Sequence, residues 1–305
     1  MDESRVHLAS ISSKSVIVMP SRRKLEEHRR SIEEIRDIMN SMKTLAYMET
    51  RKLDHLLDTQ HAVVTSIEIV AADFVSAYPE AMPGMQAARE VYLMIGSERG
   101  FCGDFNETLL SRLERIQQDK QGKDFPNLVA TGQKLHTLLL NEPHVAACLD
   151  GASVAEEVEA VLTRVVDTLA ALQTQYGTLT LYALYHAVDD DTLVTQRLLP
   201  PFQDYLDRPP RFSLPPVLNL SPTDFLIELS DHYLFAALHE IFYASLMAEN
   251  RRRVQHLEGA VKHLDEESDE LRRQSNAQHQ EEIIEEIEVI LLSAASLVKT
   301  RPKRR

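Results

Sequence analysis

From Phe225 to Val298 the chain contains no proline and one glycine, Gly259. Within that stretch apolar residues return at steps of three and four, at Val254, Leu257, Val261, Leu264 and then Leu271. An uncapped pattern of this length far exceeds the about 8–20 residues of an ordinary globular helix and predicts a coiled coil or bundle. A second run of the same kind lies near the start, through Leu25, Ile32, Ile35, Met39, Met42 and Leu45. Two long helices with different material between them describe a shaft with a folded insert. A shaft is a mechanical part and seldom an active site.

The material between the helices changes grammar after the breaker cluster Pro79–Gly84. Val91–Ile95 is a short, wholly apolar run, as expected of a strand covered on both faces. A glycine-rich turn follows, then an amphipathic helix with Leu109, Leu110, Leu113 and Ile116. Asn127–Ala130 reads as a second strand, Gly132 opens a helix through Leu138–Leu140, and Val154–Tyr176 reads as a third helix. Thr178–Tyr185 and Thr192–Leu199 predict a hairpin across the acidic turn Asp189–Asp191. Strands alternating with helices predict a small α/β domain with a mostly parallel sheet. Six prolines between Pro200 and Pro216 mark an extended connection, and Ser221-Pro222 predicts the cap and first position of the last helix. Pro20-Ser21 predicts the start of the first helix, with Ser21 as its N-cap. The expected division is a flexible tail over 1–20, a coiled-coil helix over 21–78 and an α/β domain over 88–200. A proline-rich connection over 201–220, a second coiled-coil helix over 221–298 and a basic tail over 299–305 complete it.

The long seams are imperfect. Ser268, Ser275 and Gln278 stand where leucine would stabilise most, and the phase shifts before Ile284, Ile287, Leu291, Ala294 and Val298. Polar seam residues cost stability and set register. The net charge of −14 argues against a nucleic-acid binder, which needs a basic face to neutralise phosphates. Basic residues cluster instead at Arg22–Arg30 and Lys299–Arg305, which reads as solvated ends or as a tip meeting an acidic partner. Two cysteines, Cys102 and Cys148, form neither a disulfide framework nor a metal-ligand set, which fits a reducing compartment. No apolar run approaches the ~18 residues of a membrane span, so the expectation is a soluble protein on the cytosolic side.

The densest chemical signal is Gly96-Ser97-Glu98-Arg99-Gly100-Phe101-Cys102-Gly103-Asp104-Phe105-Asn106. It lies between a strand and a helix, where phosphate-binding loops occur. Its glycine spacing matches neither dinucleotide nor Walker loops. The plainer reading is a tight turn letting a helix approach the sheet, with Asn106 helping to cap it. Cys102 beside Arg99 has no local histidine to act as a base, so a buried thiol is the better expectation. His186 near Asp189–Asp191 suggests an acidic hairpin tip more than a cation site, and Glu281–Glu288 a solvated or partner-facing stripe. No catalytic set, cofactor site or metal site is legible.

Three separated motifs, in order, resemble the γ subunit of rotary ATP synthases. Ser97–Asn106 follows that family's S-D-x-G-L-C-G-x-x-N, with Glu98 in place of its aspartate. Ile38, Met42, Leu45, Ala46, Arg51 and Lys52 follow its first-helix pattern. Glu249, Arg253, Val254, Leu257 and Ala260 match its last helix, as do Asn276, Gln280, Ile283, Glu286, Ile287, Ile290, Ala294 and Ala295, with His279 and Ile284 as departures. The resemblance implies that the terminal helices form an antiparallel coiled coil with a small Rossmann-like domain inserted between them. It implies a non-catalytic rotor shaft without cofactor, turning inside a ring of α and β subunits. Its foot would stand on the membrane c-ring with the ε subunit, peripheral to the cytoplasmic face of a bacterial inner membrane. Partner contacts are expected at Met42, Arg253, Gln280, Ile283, Glu286, Ile287, Ile290 and Ala294, with Arg253 and Gln280 as polar catches. The competing readings are a standalone coiled-coil scaffold and a nucleotide-dependent α/β enzyme using the Gly96–Gly103 turn.

Overall fold

A computed structural model describes residues 22–83, 88–119, 127–188, 192–206, 208–209, 211–212 and 214–299. The expected tail, the Ser21 cap, the Asp189–Asp191 turn and the basic residues after Lys299 lie outside the described residues. The chain divides into two units, residues 39–260 and residues 1–38 with 261–305.

The larger unit is built on five strands: β1 Arg89–Ile95, β2 Asn127–Thr131, β3 Val145–Leu149, β4 Leu179–His186 and β5 Leu193–Leu199. Their order across the sheet is β3-β2-β1-β4-β5. β1 runs parallel to both β2 and β4, and β2 parallel to β3. Only β5 is antiparallel, returning along β4 as the expected hairpin with Leu184 opposite Thr195. β3 is the strand that the sequence pattern does not single out. It is a short edge strand whose residues are mostly half-buried, so no run of fully apolar residues announces it.

A parallel sheet needs cover on both faces, and β1 shows how the side chains divide. Tyr92 and Met94 pack with α2 (Phe105–Asp119) and α3 (Gln133–Leu139) through Phe105, Leu109, Leu113, Leu135 and Leu139. Val91, Leu93 and Ile95 face α4 (Val158–Tyr176) together with α1 (Arg22–Ala77) and α5 (Pro222–Lys299). In this unit α1 contributes Leu53, Val64, Ala71, Phe74 and Val75, and α5 contributes Ala237, Leu238, Ile241, Phe242 and Met247. The two helices run antiparallel here: Gln60 Nε2 donates to Ala236 O, while the Phe74 ring packs tilted against Phe225 with centroids 4.9 Å apart. α1 ends at Ala77, one residue before the expected Tyr78, because Pro79–Ala81 turns as a 3-10 helix. The cap of α5 is as expected, with Ser221 Oγ accepting the Asp224 N–H at 3.2 Å.

In the smaller unit α1 and α5 are again antiparallel, since Arg22 meets His279 and Glu282 while Arg36 meets Asp265. Buried and half-buried positions on α5 here are Val261, Leu264, Glu267, Ser268, Leu271, Ser275 and Gln278, so the polar positions do lie in the seam. On α1 the register differs from the expected run. In this unit the covered stripe is Leu25, Arg29, Ile32 and Arg36, at alternating steps of four and three, and in the larger unit α1 continues it through Met39, Lys43, Ala46, Thr50 and Leu53, with Met42 half-buried beside it. Ile35 is 46% exposed and Leu45 63%. Both belong to the expected apolar run, but only one stripe of a helix can face the partner. The stripe taken is the one whose Arg and Lys stems cover apolar surface while their heads reach out, as Arg36 does to Asp265. Among the described residues the buried apolar cluster of this unit is Leu25, Ile32 and Leu271, flanked by Leu264. Three such side chains supply roughly 5–9 kcal/mol of transfer free energy, little against the entropy of ordering two long helices.

This register separates two isoleucines three residues apart. Ile32→Ala should cost about 2–4 kcal/mol of unfolding free energy and Ile35→Ala less than about 0.5 kcal/mol, read by urea unfolding of the chain. Equal losses would place the seam elsewhere.

Candidate functional site

The glycine-rich turn leaves β1 at Ile95 and enters α2 at Phe105. Gly96 is required there, since a Cβ would come within 2.3 Å of Leu135 Cβ on α3. Phe101 and Gly103 take left-handed backbone angles, φ 64° and 63°. Asn106 does not cap α2 as expected. Its Oδ1 accepts the Ser97 N–H at 3.0 Å and its Nδ2 donates to Ser97 Oγ at 2.8 Å, closing the turn on itself. The Cys102 thiol donates to Ser97 Oγ at 3.3 Å, and burial pushes its pKa up, so it remains a thiol at neutral pH. The Arg99 side chain turns away to Ser153 Oγ at 3.0 Å. His186 is fully buried, stacked on Phe105 at 4.0 Å with Nε2 2.9 Å from Phe105 O.

In an open parallel sheet, ligands bind beyond the carboxyl ends of the strands, with anions at a helix N-terminus. Here that place is filled from within. Glu98 Oε2 accepts the Gln133 N–H at the start of α3, at 3.1 Å, and the Gly151 N–H after β3, at 2.7 Å. Gly132 sits with φ 102°, and a Cβ there would meet Gly96 O at 2.6 Å. The void lined by Ile95, Gly96, Thr131, Gly151, Ser245 and Glu249 measures about 10 Å³, room for one water at most. That void is too small for a nucleotide.

The other side of the turn rests on α5. Glu249 and Arg253 are buried, at 3% and 5% exposure, and form an ion pair one helical turn apart. Arg253 also donates to Gly100 O at 3.1 Å, Arg99 O at 3.2 Å and Asn250 Oδ1 at 2.8 Å. Burial raises the Glu249 pKa, opposed by Arg253 and by the backbone N–H groups of Arg99 and Glu98. Beside this pair Arg252 meets Asp104 at 3.0 Å and lies over the Phe105 ring. α1 is fastened to the same edge of the sheet, where Glu49 accepts the Ala155 N–H at 2.7 Å and Lys52 pairs with Glu156.

The residues expected to meet partners fall into four groups. Gln280, Ile283, Glu286, Ile287 and Ile290 are exposed, Ile290 to 64%. Met42 is half-buried. Arg253 is inside, its guanidinium used by the turn. Ala294 lies in α5, its side chain outside what is described. From Glu281 to Ser293 every residue of α5 is exposed, including Ile284, Val289, Leu291 and Leu292. Arg22, the first described residue of α1, already stands opposite His279 and Glu282. Exposed apolar residues also line α1, at Ile38, Leu45 and Met48. The sequence reading missed Glu98 as an internal anion and Glu249 as the partner of Arg253. The four-residue spacing of the latter pair on one helix face is the signal that could have found it.

Comparison with known proteins agrees with this geometry. A sequence profile of the family described as ATP synthase matches residues 21–297. The chain is 22% identical over 276 residues to the ATP synthase gamma chain of Clostridium beijerinckii, covering 88% of this chain and 95% of that one. It is 22% identical over 269 residues to the gamma chain of Clostridium botulinum, covering 86% and 93%. Its fold is similar to a chain of the Euglena gracilis mitochondrial ATP synthase OSCP/F1/c-ring assembly, with TM-score 0.58, 13% identity and coverage of 93% and 97%. It is likewise similar to a chain of the Tetrahymena thermophila mitochondrial ATP synthase central stalk and c-ring, with TM-score 0.54, 16% identity and coverage of 73% and 99%.

The sealed crevice depends on one carboxylate. Glu98→Ala should lower stability by about 1–3 kcal/mol, since two backbone N–H groups lose a charged acceptor. Thermal unfolding of the chain reads the loss, and an unchanged midpoint would mean that the carboxylate is dispensable.

Proposed function

Because this chain belongs to the ATP synthase gamma-subunit family, we propose that it is the central-stalk shaft of a rotary enzyme, coupling ion flow to ATP synthesis or hydrolysis. It performs no bond chemistry of its own. α1 and α5 turn inside a ring of alternating α and β subunits. The α/β unit belongs to the foot, which meets the ε subunit and the membrane c-ring. Its place in this reading is the cytoplasmic face of a bacterial inner (plasma) membrane, held there through the complex. Among the described residues no helix is long and apolar enough to cross a membrane.

One observation carries the reading: the exposed apolar end of α5. Ile283, Ile287 and Ile290 recur on one side of a helix with no companion among the described residues. Exposed apolar stretches of this kind mark surfaces that a partner covers. A bearing needs a slippery apolar lining, and it needs only a few polar catches to pass torque at chosen orientations. Gln280 and Glu286 stand among these isoleucines, exposed and available. Orientation then acts as an effector, because each β conformation has a different contact energy with the same shaft face, and its nucleotide affinity follows.

Capture of the tagged chain from solubilised membranes of its source should bring down α and β subunits together. Their absence from an otherwise intact extract would remove the rotor reading. Gln280→Ala should change stability by less than about 0.5 kcal/mol, as a surface substitution, yet lower the ions pumped per ATP hydrolysed roughly two- to thirtyfold. Parallel losses of melting temperature and hydrolysis would count against a contact with the ring.

A further inference from the structure

The α/β unit and α5 must turn together if the chain is a shaft, and most contacts between them are poor at resisting rotation. α5 faces the sheet with Ala236, Ala237, Ile241, Phe242, Ala244, Met247 and Ala248. Small and aliphatic surfaces of this kind slide past one another in shear motions. Polar ties are different in kind: Arg251 donates to Val188 O and Arg252 meets Asp104 at the rim, while Glu249 and Arg253 are paired in the interior. We infer that the buried Glu249–Arg253 pair, closed onto the backbone of the Gly96–Gly103 turn, is the joint that fixes the rotational register between the α/β unit and α5. The inference rests on the central-stalk reading and assigns Arg253 an internal positioning role in place of a direct partner contact.

The geometry favours a clamp. A guanidinium is a planar fork with donors in fixed directions, and here it spans two consecutive carbonyls, Arg99 O and Gly100 O. Glu249, buried and paired with Arg253, holds that fork in place. Any rotation of α5 beneath the turn breaks several of these bonds at once. Nor can the turn follow α5 by itself. Ser97 and Asn106 bind it to its own ends, and Glu98 binds it to the loops after β2 and β3. Stability is a weak reason for such a pair, since buried ion pairs are often matched or bettered by well-packed apolar residues. Directional rigidity is what an apolar replacement lacks.

The test uses the assembled ATP synthase in membrane vesicles, with this chain in place. In Glu249→Gln/Arg253→Met no charge is left buried alone, so assembly and ATP hydrolysis should persist. Ions pumped per ATP hydrolysed should fall roughly two- to thirtyfold. Arg253→Lys keeps the charge, loses the fork and should fall part of the way, and it serves alone if the double variant does not assemble. In a background of Cys102→Ala/Cys148→Ala, the changes Asp104→Cys and Arg252→Cys, joined by a short bis-maleimide, should restore the ratio in the double variant. A covalent tie replaces a joint, but it cannot replace a contact with the ring. The proposal is overturned if Glu249→Gln alone leaves the ratio unchanged while Arg253→Met lowers it and the cross-link fails to restore it. It is also overturned if every variant pumps normally. Failure of vesicles with the unaltered chain to pump at all would instead count against the central-stalk reading.

Discussion

A mostly parallel sheet cannot leave either face in water, and the whole architecture follows from how the second face is covered. α2 and α3 cover one face. α4 covers the other only in part, and the remainder is supplied by α1 and α5, which bring Leu53, Phe74, Leu238, Ile241 and Phe242 into the same core as Val91, Leu93 and Ile95. The two long helices are therefore walls of the α/β unit as well as a coiled coil. An insert joined to a rod by loops alone could swivel. An insert whose core includes the rod is carried with it, and the polar ties at Glu49, Lys52, Glu249 and Arg253 fix the angle.

Away from this core, the helix pair depends little on apolar burial. Leu25, Ile32 and Leu271 are its fully buried side chains, and Arg29 and Arg36 occupy alternate seam positions. The ion pairs there are largely solvent-facing, each worth at most about 1 kcal/mol. Such a pair is specified in register more firmly than it is stabilised, as polar seam residues do in coiled coils. Further along α5, apolar side chains are exposed outright. Both features fit a part that is completed by a surrounding ring and that must not grip any single orientation too tightly.

The carboxyl edge of the sheet shows how a fold associated with ligand binding serves without a ligand. Glu98 occupies the anion position at the start of α3, and the glycines at 96 and 132 let backbone close over the crevice. What would be a phosphate loop in another α/β protein becomes the seat on which α5 rests. The Glu98 side chain is long enough to reach the N–H groups of Gln133 and Gly151 together.

The sequence by itself determined the elements whose cause is local. Both long helices, the cap at Ser221 and the four strands β1, β2, β4 and β5 were legible, because period, proline and glycine act within a few residues. The motif order also pointed to the family. The tertiary structure alone decided which stripe of α1 faces α5, since Ile35 and Arg36 fit a heptad equally well until an acid such as Asp265 stands opposite. It alone disclosed β3, an edge strand made by pairing with β2 and not by its own composition. It alone moved Arg253 from surface to interior, because what buries that side chain is a turn some 150 residues away in sequence, and long-range placement leaves no periodic trace in the chain.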